Sequence, residues 1–245
     1  MTVKHFLFLI AAFGFQPVSA GREKPGVPYN TLLTTLATVQ EEIVNVHNNF
    51  RRHVTPSARN MLKMSWSEDA AQNARTLTSQ CNPVDSYPPD RQIGENFCGE
   101  NMFFASYPMS WSSVIEMWYN ESKYFTYGKW KRLGKKTDHY TQVVWAISYL
   151  IGCGVTLCGE RRSNRYLYIC HYCHEGNDYK KNKPYKDGLP CADCPDACED
   201  RLCTNPCPYA DAIIICKKKI KKLGCNDKLV GQYCKASCLC TTEIK

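Results

Sequence analysis

The stretch LYICHYCHEGND, residues 167–178, decides how the chain is read. Cys170-His171-Tyr172-Cys173-His174 fits the C-x-x-C-H pattern of covalent haem attachment, and Cys170 with Cys173 fits a thioredoxin-like redox pair. Two cysteines with two histidines also suit zinc. The same residues read equally well as two half-cystines beside exposed strand or turn histidines. The compartment chooses among these readings, because oxidation removes the thiolates that zinc and redox chemistry need.

The chain opens MTVKHFLFLIAAFGFQPVSA. Lys4 and His5 give a basic start, residues 6–15 form a short apolar run, and Val18-Ser19-Ala20 precedes a cut after Ala20. That order predicts a secretory signal peptide over 1–20, too short to span a bilayer. Later apolar stretches are shorter still, such as 212–216, so the reading is a soluble, secreted, extracellular protein. All 16 cysteines follow the signal. An even number in an oxidising compartment predicts eight disulfides. A haem should bring a distal ligand and an apolar pocket, and the sequence offers a motif for neither. Secretion also removes nucleic acid as a partner, despite the formal charge of +8.

Cysteine density divides the chain. Six cysteines lie in 21–190 and ten in 191–245. The first part is long enough for a hydrophobic core, and the last is small and polar enough to need covalent staples. Between them, residues 179–190 are rich in Lys, Pro, Asp and Gly and predict a linker. Residues 21–35 predict an extended arm. Leu36, Ile43, Val46, His47 and Phe50 recur at helical spacing. Ser65-Trp66-Ser67-Glu68 reads as a capping box opening a helix through Ala70, Ala71, Ala74 and Leu77. Trp111, Val114, Ile115 and Trp118 mark a third helix face. Residues 140–145, 153–158 and 166–173 read as strands. Helices first and strands later predict an α+β layered domain.

DHYTQVVWAIS (138–148) and LYICHYCHEGND (167–178) resemble the two signatures of the CAP superfamily, with CGEN (98–101) and NMLKMSW (60–66) as further blocks. CTNPC (203–207) and CKASCLC (234–240) resemble the cysteine-rich secretory proteins within it, and CHYCHEGND with the tail TTEIK resembles their epididymal, sperm-coating branch. The resemblance implies a three-layer α-β-α sandwich over 36–178. A disulfide-rich hinge (191–206) and a helical, toxin-like, channel-regulating module (207–245) would follow. It also implies the connectivity, which spacing cannot choose: Cys81–Cys158, Cys98–Cys173, Cys153–Cys170, Cys191–Cys198, Cys194–Cys203, Cys207–Cys240, Cys216–Cys234 and Cys225–Cys238.

The family's cleft carries two histidines and two glutamates. Glu100, Glu121 and His139 match three of them, and counting from Cys81 puts Asp85 where the other histidine belongs. One imidazole with carboxylates ligates zinc weakly and unselectively, so no cofactor is required and weak zinc is the most the set implies. The alternative is a polar cleft in which His139 bridges Glu100 and Glu121. No serine sits in a G-x-S-x-G turn and the cysteines are expected to be paired, so no catalytic residue is assigned. Asn120-Glu121-Ser122 is an N-glycosylation sequon. Tyr124, Phe125, Tyr127 and Trp130 form an aromatic cluster near a loop that binds sterols in some relatives.

KKKIKK (217–222) lies in a segment, 208–245, with eight Lys/Arg against three Asp/Glu. Lys217, Lys218, Lys219, Lys221 and Lys222 suit an acidic channel vestibule or anionic lipid, or form only a solvated basic turn. Tyr166, His171 and His174 are the expected contacts of the first domain with a cell-surface partner. The resemblance thus implies a non-enzymatic sperm-coating glycoprotein acting in fertilisation. Its implied partners are a sperm or egg surface protein and a cation channel, and the alternative is a sterol or lipid carrier.

Overall fold

The computed structural model describes residues 26–94, 96–130, 134–159, 166–176, 181–213 and 215–245. The expected signal peptide and residues 21–25 of the arm lie outside them.

A five-stranded sheet organises the first domain. Its spatial order is β1 (Ser65–Trp66), β4 (Leu150–Leu157), β5 (Tyr166–Cys173), β3 (Asn96–Ala105) and β2 (Gln92–Ile93). β1 runs parallel to β4, and the other neighbours are antiparallel. Side chains of β5 alternate between faces, as a pleated strand requires. Tyr168, Cys170 and Tyr172 join the main core with α1 (Ala37–Arg52) and α3 (Trp111–Tyr119). Leu167, Ile169 and Cys173 face α2 (Glu68–Ser79) on the other side.

That alternation answers the C-x-x-C question. Cys170 and Cys173 are three residues apart in one strand, so their sulfurs leave on opposite faces. Each is bonded to its register partner on a neighbouring strand, Cys170 to Cys153 on β4 and Cys173 to Cys98 on β3. The other bonds are Cys81–Cys158, Cys191–Cys198, Cys194–Cys203, Cys207–Cys240, Cys216–Cys234 and Cys225–Cys238, the pairs implied by the resemblance.

The layers are α1, α3 and α4 (Asp138–Val143) over one face and α2 over the other, a three-layer α-β-α sandwich. α2 lies almost on the backbone of β4. Ala70, Ala71 and Ala74 are fully buried, and a Cβ on Gly154 would meet Arg75 N at 2.6 Å. Small residues on both elements permit this approach. The helix is capped by Ser67, whose side chain accepts from Ala70 N–H, rather than by Ser65, which belongs to β1.

Two expectations are corrected here. Residues 140–145 are not a strand, because α4 runs through most of them. Tyr140, Thr141, Gln142 and Val143 are all buried. A helix buried all round shows no 3.6-residue alternation, and its bulky residues imitate a strand. The linker expected over 179–190 is, from residue 181 onward, seated on the first domain. Tyr185 lies in the main core. Pro184 O accepts from Ala146 N–H at 2.9 Å, and Lys186 O from Arg59 N–H at 2.9 Å. The arm is likewise anchored by buried Leu32, whose carbonyl accepts from Trp111 Nε1–H at 2.9 Å.

The hinge is bonded to the first domain. Its hairpin, β6 (Cys198–Glu199) and β7 (Leu202–Cys203), exchanges backbone hydrogen bonds with Met61 and Lys63 at 2.8 Å. Asp193 accepts from Arg59 at 2.5 Å and Lys186 at 2.8 Å. The C-terminal module follows with α5 (Cys216–Leu223), α6 (Lys228–Tyr233) and α7 (Lys235–Leu239). Its tail returns to the hinge. Ile244 N–H donates to Asn205 O at 2.9 Å, Cys207 N–H donates to Ile244 O at 3.0 Å, and the Ile244 side chain is buried with Leu62, Cys191 and Cys203.

Candidate functional site

Helix α4 begins at Thr137, whose own side chain makes no capping bond. The cap comes from elsewhere in the chain. One oxygen of Glu121 accepts from His139 N–H at 3.0 Å and Tyr140 N–H at 3.2 Å, and the other lies 2.8 Å from His139 Nδ1. A carboxylate there satisfies orphan donors and meets the positive end of the helix. The His139 ring also stacks on Trp118 at 6.3 Å. Asn101 holds the same turn from the sheet, its amide donating to His139 O at 3.1 Å and to Tyr172 Oη at 3.2 Å.

Glu100 is one residue from Asn101 and therefore points to the other face of β3. It accepts from Ser86 N–H at 2.9 Å, Ser86 Oγ–H at 2.7 Å and His171 Nε2–H at 3.1 Å. The Glu100 and His171 side chains are 3% and 0% exposed. Burial pushes the Glu100 carboxyl up, but the bonds from His171 and Ser86 outweigh it and hold the group below the usual carboxylate range.

The structure therefore does not bring Glu100, Glu121 and His139 together. Among the described residues, the one group of three candidate ligand atoms within 4.8 Å of one another is Cys191, Cys194 and Cys203, all in disulfides. His139 bonds Glu121, and the bridge to Glu100 is replaced by His171. His171 also leaves the expected partner surface, since it is fully buried, and its Nδ1 has no hydrogen-bond partner among the described residues. His174 packs beside Tyr149 at 5.7 Å and is half-buried, while Tyr166 packs against Tyr29 at 5.9 Å.

Sequence reasoning missed the Glu100–His171 pair, although a signal existed. With Cys98 bonded to Cys173 across antiparallel strands, the residue two after Cys98 must face the residue two before Cys173. Of the residues the resemblance places in the cleft, Glu100 and Asp85 line an open pocket of about 360 Å³ with Arg91, Gln142 and Glu175, and Glu121 and His139 do not. Asp85, counted into the place of the absent histidine, does line this cleft.

Comparison with known proteins follows these features. Residues 44–172 match the family model described as "Cysteine-rich secretory protein family", and residues 191–245 match the one described as "Crisp". The chain belongs to the cysteine-rich secretory protein family. It is 54% identical to cysteine-rich secretory protein 1 of Macaca mulatta over 249 aligned residues, covering 100% of both chains. It is 45% identical to cysteine-rich secretory protein 3 of Homo sapiens, covering 97% of each. Among solved structures, Na-ASP-1 shares the fold with a TM-score of 0.60 and 26% identity, over 74% of this chain and 52% of that one.

Two surfaces of this family member lie outside the cleft. Beside α4, Tyr124, Phe125, Trp130, Lys123, Lys129 and Lys181 line an open groove of about 550 Å³, and Trp130 is 74% exposed. Asn120 of the sequon is exposed at the end of α3, next to Glu121. In the module, the stretch expected as a basic turn is helix α5, with Lys217, Lys218, Lys219, Lys221 and Lys222 all exposed. No helix among the described residues is long and apolar enough to cross a membrane.

Proposed function

We propose that this cysteine-rich secretory protein is a secreted, non-enzymatic binding and regulatory glycoprotein. It coats sperm, engages a sperm or egg surface protein through its CAP domain, and modulates a cation channel through the C-terminal module. The observation that carries the non-enzymatic part is the use made of the polar residues. Glu121 is occupied as a helix cap, Glu100 is held by Ser86 and His171, and no cysteine is free. Acid–base or nucleophilic chemistry needs such groups facing substrate. The sperm and channel roles rest on likeness to family members, and five exposed lysines on one helix of the module support them.

The test compares calcium entry in sperm exposed to the full mature chain and to the same chain with Lys217, Lys218, Lys219, Lys221 and Lys222 changed to Gln. A changed signal for the first and none for the second supports channel modulation. Equal signals, or none from either while both bind sperm, remove it.

A second reading, a sterol or lipid carrier, is favoured by the Tyr124–Phe125–Trp130 groove alone. Sterol titration against Trp130→Ala and the parent chain separates it. Equal affinity would end that reading.

A further inference from the structure

We infer that helix α5 is a docking face for an anionic lipid bilayer. The inference goes beyond the channel reading and does not require a channel. α5 has eight residues, CKKKIKKL, and five are lysine. Cys216 and Ile220 face inward, joining Val230 and Cys234 in the module's small core. At 100° per residue, the five lysines occupy the whole remaining arc of the helix. All five are exposed, and none is in an ion pair among the described residues.

The module's acidic groups bond backbone donors and form no ion pair with these lysines among the described residues. Asp211 bonds Ser237 N–H at 2.8 Å, Asp227 caps α6 through Leu229 and Val230 N–H, and Glu243 bonds Thr242 N–H at 3.1 Å. Lys217 and Lys221, like Lys218 and Lys222, are four apart, a spacing at which like charges weaken a helix. The Cys216–Cys234 disulfide and the Ile220 contact hold the helix against that repulsion. The result is an array rising about 7.5 Å along the helix axis with no internal counter-charge.

A bilayer surface fits this array better than a single acidic pocket. The charge is spread along a convex helix, where many mobile headgroups can meet it at once. Ile215, about half exposed, stands at its N-terminal end, while Leu223 falls beside Cys216 and off the lysine arc. Long lysine stems lie along an interface while their ammonium groups remain in water. Lysine stems and Ile215 together match shallow seating at the headgroup level.

The experiment is flotation of the oxidised full mature chain with phosphatidylcholine vesicles, with and without phosphatidylserine. We expect binding to the phosphatidylserine vesicles, loss of it at 1 M salt, and an about thirty-fold weaker partition for K218Q/K222Q, at roughly fivefold per lysine. K218R/K222R should bind as the parent does, and Arg75→Gln, on α2 of the CAP domain and paired with Glu68, should leave binding unchanged. Unchanged migration on non-reducing gels shows that the variants keep their disulfides. Absence of binding to phosphatidylserine vesicles overturns the inference, and so does binding indifferent to K218Q/K222Q. Attachment to cells that sialidase abolishes, without vesicle binding, also overturns it and assigns the face to sialylated glycans. Calcium signals in sperm without vesicle binding would overturn it while leaving channel modulation standing.

Discussion

Glu121 holds His139 twice, its carboxylate 2.8 Å from the ring Nδ1 and 3.0 Å from the backbone N–H. In sequence the pair looks like the remnant of a metal or acid–base site. In the fold it joins the turn after α3 to the start of α4, and so supports the buried core formed by Tyr140 and Val143.

That role predicts the effect of removing the carboxylate. Glu121→Ala should destabilise the protein by about 2–3 kcal/mol, through loss of a charge-assisted cap and exposure of orphan donors. Urea unfolding followed by tryptophan fluorescence measures it, Trp118 lying against His139. The loss should be the same with EDTA or with added zinc. A loss that vanished in EDTA would return Glu121 to a metal site.

His47 supplies a pH dependence. Its Nδ1–H donates to Ile43 O at 2.8 Å and its Nε2 accepts from Tyr172 Oη–H at 3.0 Å. Burial, with Arg51 nearby, lowers its pKa from 6.5 to about 4, the bond to Ile43 opposing only in part. Between those values the unfolded chain takes a proton that the folded one refuses. Stability should therefore be full above pH 6.5 and fall by about 3 kcal/mol as pH drops toward 4. The depressed Glu100 carboxyl adds a separate loss below pH 4.5. In His47→Gln the slope between pH 6.5 and 4 should flatten, which urea midpoints across that range would show.

Arg51 is buried with no carboxylate partner among the described residues. Its guanidinium donates to Leu62 O twice, to Val143 O and Ala146 O at 3.0 Å, and to Trp145 O at 2.8 Å. These carbonyls include those at the end of α4, where a cation is favoured. Burial lowers its pKa to about 9. Arg51→Leu takes the donor from Leu62 O and Val143 O, while Ala146 O and Trp145 O keep backbone donors from Leu62 and Ser148, and should cost at least about 2 kcal/mol. Secretion yield and urea midpoint test it, with Arg51→Lys expected between parent and Arg51→Leu.

Ile244 makes the last contact of the module with the hinge. Ile244→Asp should cost about 2 kcal/mol and speed amide exchange at 202–207, with the α5 amides little changed. Unaltered exchange at 202–207 would show that the tail does not hold the module.

Much of this architecture is readable in the chain. The near-continuous apolar run of β5, buried on both faces, and the small-residue face of α2, buried on one, carry their geometry in sequence. α4 does not, since Tyr140–Val143 make a full turn of buried residues and its cap, Glu121, lies 17 residues before Asp138. The 181–190 segment is polar enough to read as a linker, yet it is ordered by backbone bonds that composition does not reveal. In sequence His171 reads as an exposed strand or turn residue, since its neighbours are half-cystines of ambiguous role. Only the register of β3 against β5 shows it to be the buried partner of Glu100.

The return of Ile244 onto Leu62 makes the spacing between the CAP domain and α5 a fixed length rather than a tethered range. A partner pair separated by that length is met at both points at a high effective concentration, and a pair at another spacing is met at one. If the two units engage separate targets, as proposed above, selectivity would include the distance between those targets as well as their chemistry.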